Sequence, residues 1–127
     1  MAKNAAYEQE LRERAVRQKY LDGIVEGAMT RVIAKIANRQ PPIHTHFFYG
    51  ASAIHPRHLV TWYLFKSDSE WEAAKRNGLT SEIDAATRTE LAAGGYPPEG
   101  VGSMFVSFTS DEDIQRKTGG NYYVYFK

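Results

Sequence analysis

The stretch from Ala5 to Asn38 contains no proline, and it constrains the fold more than any other part of the chain. Its later apolar residues recur at intervals of three and four, the period at which one face of an α-helix repeats. These residues are Leu21, Ile24, Val25, Ala28, Met29, Val32, Ile33 and Ile36. The pattern predicts one long amphipathic helix that ends before Gln40-Pro41-Pro42, because proline cannot continue a helix and restricts the residue before it.

The first half of this helix is dominated by charged residues. Glu8 and Arg12, and likewise Glu10 and Arg14, stand four apart and can support a solvated helix. At about 1.5 Å per residue the helix approaches 50 Å, which is longer than a domain of this size is wide. We therefore expect residues 1–20 to be a helical extension that overhangs the core, frays or meets a partner.

Two segments rich in β-branched and aromatic residues follow, Ile43–Tyr49 and His58–Phe65. They predict a hairpin with a long loop. The second segment is apolar on both faces, which is typical of a central strand covered on both sides. The connection between the two segments is still too short for a crossover, which favours antiparallel pairing between them.

The remaining elements are shorter. Ser67–Glu70 has the form of a capping box, and Thr80 can cap the next helix. The other segments are a strand at Ser103–Thr109, a short helix at Ser110–Lys117 and a fourth strand at Asn121–Phe126. The chain is thus predicted to be a single α+β domain over 1–127. A long N-terminal helix and three short helices pack on a four-stranded antiparallel or mixed sheet.

Composition narrows the classes of function. The chain has 16 Lys and Arg against 15 Asp and Glu, so no overall field favours nucleic acid or a membrane surface. It has no cysteine, which excludes disulfides, thiolate nucleophiles and cysteine zinc sites. The N-terminus has no apolar signal core and no run of eighteen apolar residues occurs, so we expect a cytoplasmic protein.

All four histidines fall within fifteen residues, as His44, His46, His55 and His58. If the hairpin is centred near Ser52, His46 lies opposite His58 and His44 opposite Val60. Three histidines would then share one face, a geometry that can hold zinc or another divalent metal with water in the open position. A slip of one residue sends His58 to the opposite face. The alternative is ordinary hydrogen-bonding histidines at a sheet end, with no cofactor.

The C-terminal segment combines Arg116, two glycines and a run of aromatic residues, a composition found where an anion or a planar group is bound. A capped helix, a glycine stop and a final strand account for the same residues. Tyr122, Tyr123 and Tyr125 cannot all face inward on one strand, so some should be exposed. Protein interfaces are enriched in exposed tyrosine and arginine.

The acidic turn, the arginine, Gly119-Gly120 and the aromatic end of residues 110–126 resemble the C-terminal ends of small bacterial proteins, some of which look like immunity proteins. The resemblance covers less than a fifth of the chain and transfers no site residue. A P-loop, a dinucleotide-binding glycine fingerprint and a nucleophile elbow are all missing from the sequence.

We therefore interpret the chain as a non-enzymatic protein-binding domain, such as a bacterial immunity or antitoxin-type inhibitor. Its predicted contact surface consists of Arg116, Tyr122, Tyr123, Tyr125, Asp111, Glu112 and Asp113. The alternative is a metal-dependent hydrolase or lyase with His44, His46 and His58 as ligands and His55 beside them. A homodimer through Ile24, Val25, Met29, Val32 and Ile36 of the long helix is compatible with either function.

Overall fold

The computed structural model describes residues 2–127, with side chains described from Asn4 onward, and it has the predicted α+β class. Within residues 2–127, six α-helices and three β-strands form the fold. In chain order they are α1 (Ala2–Lys35), β1 (Thr45–Tyr49), β2 (Val60–Phe65), α2 (Asp68–Arg76), α3 (Leu79–Ala93), α4 (Pro98–Val101), β3 (Phe105–Ser110), α5 (Asp111–Thr118) and α6 (Tyr122–Tyr125). A 3-10 helix, Pro56–His58, precedes β2.

The sheet has three strands in the order β1-β2-β3. β1 runs antiparallel to β2, and β3 runs parallel to β2, so the sheet is mixed and β2 is its central strand. The predicted fourth strand at Asn121–Phe126 is wrong. Gly119 and Gly120 take positive φ values of 63° and 92° and turn the chain, after which Asn121 accepts the N–H of Val124 at 3.0 Å and caps the single turn of α6.

The main core lies between the sheet and helices α1 and α3. Leu21, Val25, Ala28 and Val32 of α1 are buried in the same cluster as Tyr63 and Phe65 of β2. This burial removes Val25, Met29, Val32 and Ile36 from the surface. The homodimer surface predicted from these residues is therefore wrong, since they pack inside their own chain. Side chains 4–17 of α1 are all exposed, so the helix extends past the core.

Two helices that follow parallel strands begin at serine caps. Ser67 accepts the N–H of Glu70 at 3.2 Å, which confirms the predicted cap, and Ser110 accepts that of Asp113 at 2.9 Å at the start of the predicted short helix. The predicted cap at Thr80 is wrong, because α3 begins at Leu79 with Gly78 as its N-cap residue, and the Asn77 side chain accepts the N–H of Leu79 at 2.9 Å. Within residues 2–127, no helix has the length and apolar character needed to cross a membrane.

Candidate functional site

A partly exposed aromatic surface covers the side of the sheet that faces away from α1 and α3. It consists of Phe47, Tyr49, Trp62, Tyr122, Tyr123 and Phe126, and we call it the aromatic face. Phe47 pairs with Trp62 across β1 and β2, so their side chains share one side of the sheet. The alternate residues Phe48 and Tyr63 point to the opposite side, into the main core.

Phe126 fixes the C-terminal segment onto this side of the sheet. Its ring meets those of Phe47 and Trp62 edge-on, with centroids 4.8 and 4.7 Å away, and that of Tyr125 at 4.7 Å. Edge-to-face contacts at such distances are favourable aromatic geometries. The C-terminal residues therefore form a packed cover over β1 and β2 at Phe47 and Trp62.

A groove of about 380 Å³ opens between this cover and the edge strand β1. It is lined by Phe47, Tyr49, Tyr122, Tyr123, Phe126 and Lys127, and the lining is predominantly apolar. Tyr123 is 76% exposed and Tyr49 is 42% exposed. The Tyr49 hydroxyl accepts a hydrogen bond from Trp62 Nε1 at 3.1 Å, which holds one wall of the groove. A concave, exposed aromatic patch of this kind is typical of a binding surface.

A polar cluster lies at the carboxyl ends of the parallel strands, where α2 and α5 begin side by side. Ser110 Oγ donates to Asp68 Oδ1 at 2.6 Å, and Glu112 accepts the N–H of Asp68 at 3.0 Å. Arg116 donates to Asp68 Oδ2 at 2.8 Å and to Asp113 Oδ1. The hydrogen bond from Arg116 lowers the pKa of Asp68 below its usual range. Arg116 thus joins the two helices, with 53% of its side chain exposed.

The same cluster anchors the C-terminal cover. Tyr125 donates its hydroxyl to Asp113 and lies 2.8 Å from the hydroxyl of Thr109. Its hydrogen bond lowers the pKa of Asp113. Tyr122 donates to Asp111 at 2.5 Å, and burial together with this bond raises its pKa to about 12. The tyrosines on either side of Tyr123 are therefore held by α5, while Tyr123 points to solvent.

The structure brings the predicted C-terminal residues together around α5 and α6. Arg116, Asp111, Glu112 and Asp113 contact their own chain, and Tyr123 is the most exposed of the predicted tyrosines. The sequence prediction missed Phe47, Tyr49, Trp62, Phe126 and Lys127. The alternation of Phe47 and Tyr49 on a strand was the available signal, but it does not tell which element covers that side.

The histidine register predicted from the sequence is wrong. His46 pairs with Tyr63, five residues beyond the predicted partner His58. Because side chains alternate along a strand, a shift by an odd number of residues no longer places His58 on the same side of the sheet as His46. The cause is the 3-10 helix Pro56–His58, in which His55 Nδ1 accepts the N–H of Arg57 at 3.0 Å. His44 precedes β1 and donates its N–H to Leu64. In the part of the chain that the structure describes, no three His, Asp or Glu side chains are grouped so that they could hold a metal ion.

Comparisons with protein-family models, curated proteins and solved structures find no match to this chain.

Proposed function

We propose that this protein is a protein-binding domain that contacts a partner protein through the aromatic face. The observation that carries the proposal is the groove of about 380 Å³ lined by five aromatic rings, with Tyr123 exposed at its rim. Tyrosine supplies a large contact area at a small loss of conformational entropy, and it is enriched among residues that dominate binding energy.

The groove indicates the chemistry of the partner. Its apolar lining accepts an aliphatic or aromatic side chain, and Lys127 at its edge favours a neighbouring carboxylate. The Lys127 ammonium lies 5.7 Å from the Tyr123 ring centroid, so the charge and the ring form one contact area. The resemblance of residues 110–126 to immunity-type proteins favours a toxin-type enzyme as the partner and inhibition as the outcome.

Site-specific photocrosslinking tests the proposal. A benzoylphenylalanine in place of Tyr123 should crosslink one protein that the same probe in place of Ile54, which is 60% exposed but belongs to the loop between β1 and β2, does not. The purified partner should bind the wild-type chain at least about tenfold more tightly than Tyr123→Ala, as for a residue of high binding energy.

Ile54→Ala is the matched control and should leave the affinity unchanged. A crosslink pattern that is identical at both positions, or an affinity that Tyr123→Ala leaves unaltered, would refute the aromatic face as the contact surface. If the partner is an enzyme, its inhibition should decline in the same order as its binding.

A further inference from the structure

The outward side of α1 carries a second stripe of apolar and small residues, which is mostly exposed within residues 2–127. Val16, Tyr20, Gly23 and Gly27 follow at intervals of four, three and four, the seam spacing of paired helices. Leu21, Val25, Ala28 and Val32, which enter the core, have the same intervals. At about 100° per residue, the outer stripe lies on the opposite side of the helix from the buried one.

Val16, Tyr20 and Gly23 of the outer stripe are exposed, and Gly27 is half-buried. Val16 is 71% exposed and Tyr20 is 67% exposed. A Cβ built on Gly23 meets no heavy atom within 4 Å, whereas one on Gly27 would lie 3.1 Å from Nη1 of Arg31, whose Nε donates to Glu90 at 2.6 Å. Each glycine inside a helix is about 1 kcal/mol less favourable than alanine. Gly27 makes room for the Arg31 guanidinium, but no contact within the described residues requires Gly23, and close approach of another helix would.

We propose that a second copy of this chain docks antiparallel along the outer stripe and forms a two-fold dimer. If the two-fold axis crosses the helix midway between Leu21 and Asp22, Tyr20 and Gly23 lie at equal distances from it along the helix. Tyr20 of each copy is then placed over Gly23 of the other. The same axis sets Val16 over Gly27, beside the Arg31 guanidinium. Tyr20 of each copy thereby faces the open space above Gly23 of the other, so the same surface supplies both the protruding side chain and the space that receives it.

Charge complementarity identifies the second copy as the occupant. Lys19 and Glu26 stand seven apart and flank the stripe on one side. In an antiparallel two-fold pair, the side of the stripe that carries Lys19 and Glu26 meets the same side of the other copy, which runs in the opposite direction. Lys19 of one copy therefore lies near Glu26 of the other, and this pair occurs twice per dimer. Among residues with described side chains, neither Lys19 nor Glu26 makes an ion pair.

The dimer is independent of the proposed function. α1 lies on the helix-covered side of the sheet, and the aromatic face lies on the other side. Dimerisation therefore leaves both aromatic faces open and produces a bivalent molecule, whose binding to a multivalent partner gains from effective concentration.

Sedimentation velocity of the full chain over a wide concentration range tests the dimer. The weight-average mass should rise towards twice the chain mass, as mass action requires. Tyr20→Glu should raise the dissociation constant at least about tenfold, since it places a charge in the seam twice. Tyr7→Glu is the matched control: this tyrosine is 61% exposed on the other side of the same helix, and its replacement should leave association unchanged.

A charge exchange completes the test. Lys19→Glu should weaken the dimer, because it sets two carboxylates against Glu26, and the double variant Lys19→Glu/Glu26→Lys should restore it. All these positions are exposed, so the variants should keep the wild-type circular dichroism spectrum and Tm. The proposal is overturned by a wild-type chain that stays monomeric throughout, by equal effects of Tyr20→Glu and Tyr7→Glu, or by a double variant as weak as Lys19→Glu.

Discussion

Replacing Phe126 by alanine should show that Phe126 anchors the C-terminal cover, a role different from that of Tyr123, the proposed contact residue. Phe126 makes edge contacts with three rings at 4.7–4.8 Å and is half-buried. Truncation of a fully buried phenylalanine lowers the free energy of unfolding by about 3–5 kcal/mol, so a half-buried one should lose roughly 2 kcal/mol. For a chain of this length that corresponds to a fall in Tm of about 8 °C.

Tyr123→Ala is the matched comparison. Its side chain is 76% exposed, so its removal should change the free energy of unfolding by less than about 0.5 kcal/mol. Both variants should weaken partner binding, Tyr123→Ala by loss of contact and Phe126→Ala because the cover leaves the sheet. Trp62 reports the difference, since loss of the Phe126 ring should expose it to acrylamide quenching.

Urea denaturation followed by circular dichroism, together with tryptophan quenching, makes both measurements on the same samples. If Phe126→Ala is as stable as Tyr123→Ala and leaves Trp62 protected, then Phe126 does not hold the cover. The description of the aromatic face as a built groove would then be wrong.

Three further outcomes follow from particular contacts. Gly100→Ala should lower the free energy of unfolding by about 1–3 kcal/mol, because the new Cβ would lie 2.5 Å from Pro56 Cβ and 2.8 Å from Tyr96 Cε2. Gly102→Ala is the control and should not lower it, since the space around Gly102 is open. Equal urea midpoints for the two variants would contradict this packing. Hydrogen bonds from Lys35 and Arg31 lower the pKa of Glu90 from its ordinary value of 4.5. The stabilisation from Glu90 is therefore complete above about pH 4.5 and is lost as the pH falls through the folded-state pKa, so Glu90→Gln should flatten the acid side of the Tm–pH profile. If the acid side of the profile is the same in Glu90→Gln as in the wild type, the ionisation of Glu90 is not linked to folding. Protein purified without chelators should carry zinc, iron or manganese well below one equivalent, since His46 lies opposite Tyr63 rather than His58; stoichiometric metal that His46→Ala removes would restore the metal-site hypothesis.

Local patterns in the sequence predicted local structure well. The long helix, the serine cap at Ser67, the short helix after Ser110 and β2 as a strand apolar on both faces depend on neighbours within a few residues, and all are present. The hairpin register was not predictable in the same way. It depends on how many residues the loop uses, and Pro56–His58 form a 3-10 helix there instead of the start of β2.

The C-terminal segment shows a similar limit. Tyr122–Phe126 has the composition of a strand, and its β-propensity favours one. The structure instead has a single helical turn, because Gly119 and Gly120 redirect the chain and the Asn121 side chain caps the turn. Its place over Phe47 and Trp62 comes from contacts that Phe126 makes with residues 79 and 64 positions away in sequence, which no local pattern contains.

The polar cluster is connected to the aromatic face through Tyr125 of the C-terminal segment. Open parallel strands often place ligands at their carboxyl ends, but here Arg116 and Asp68 fill that position with an ion pair between α2 and α5. Arg116 also pairs with Asp113, which accepts the hydroxyl of Tyr125. Tyr125 and the adjacent Phe126 anchor belong to the same short segment as Tyr123, so the cluster helps to hold the segment that carries the proposed contact residue. Loss of Arg116 would therefore weaken partner binding by loosening α6, with a fall in Tm that loss of Tyr123 does not share.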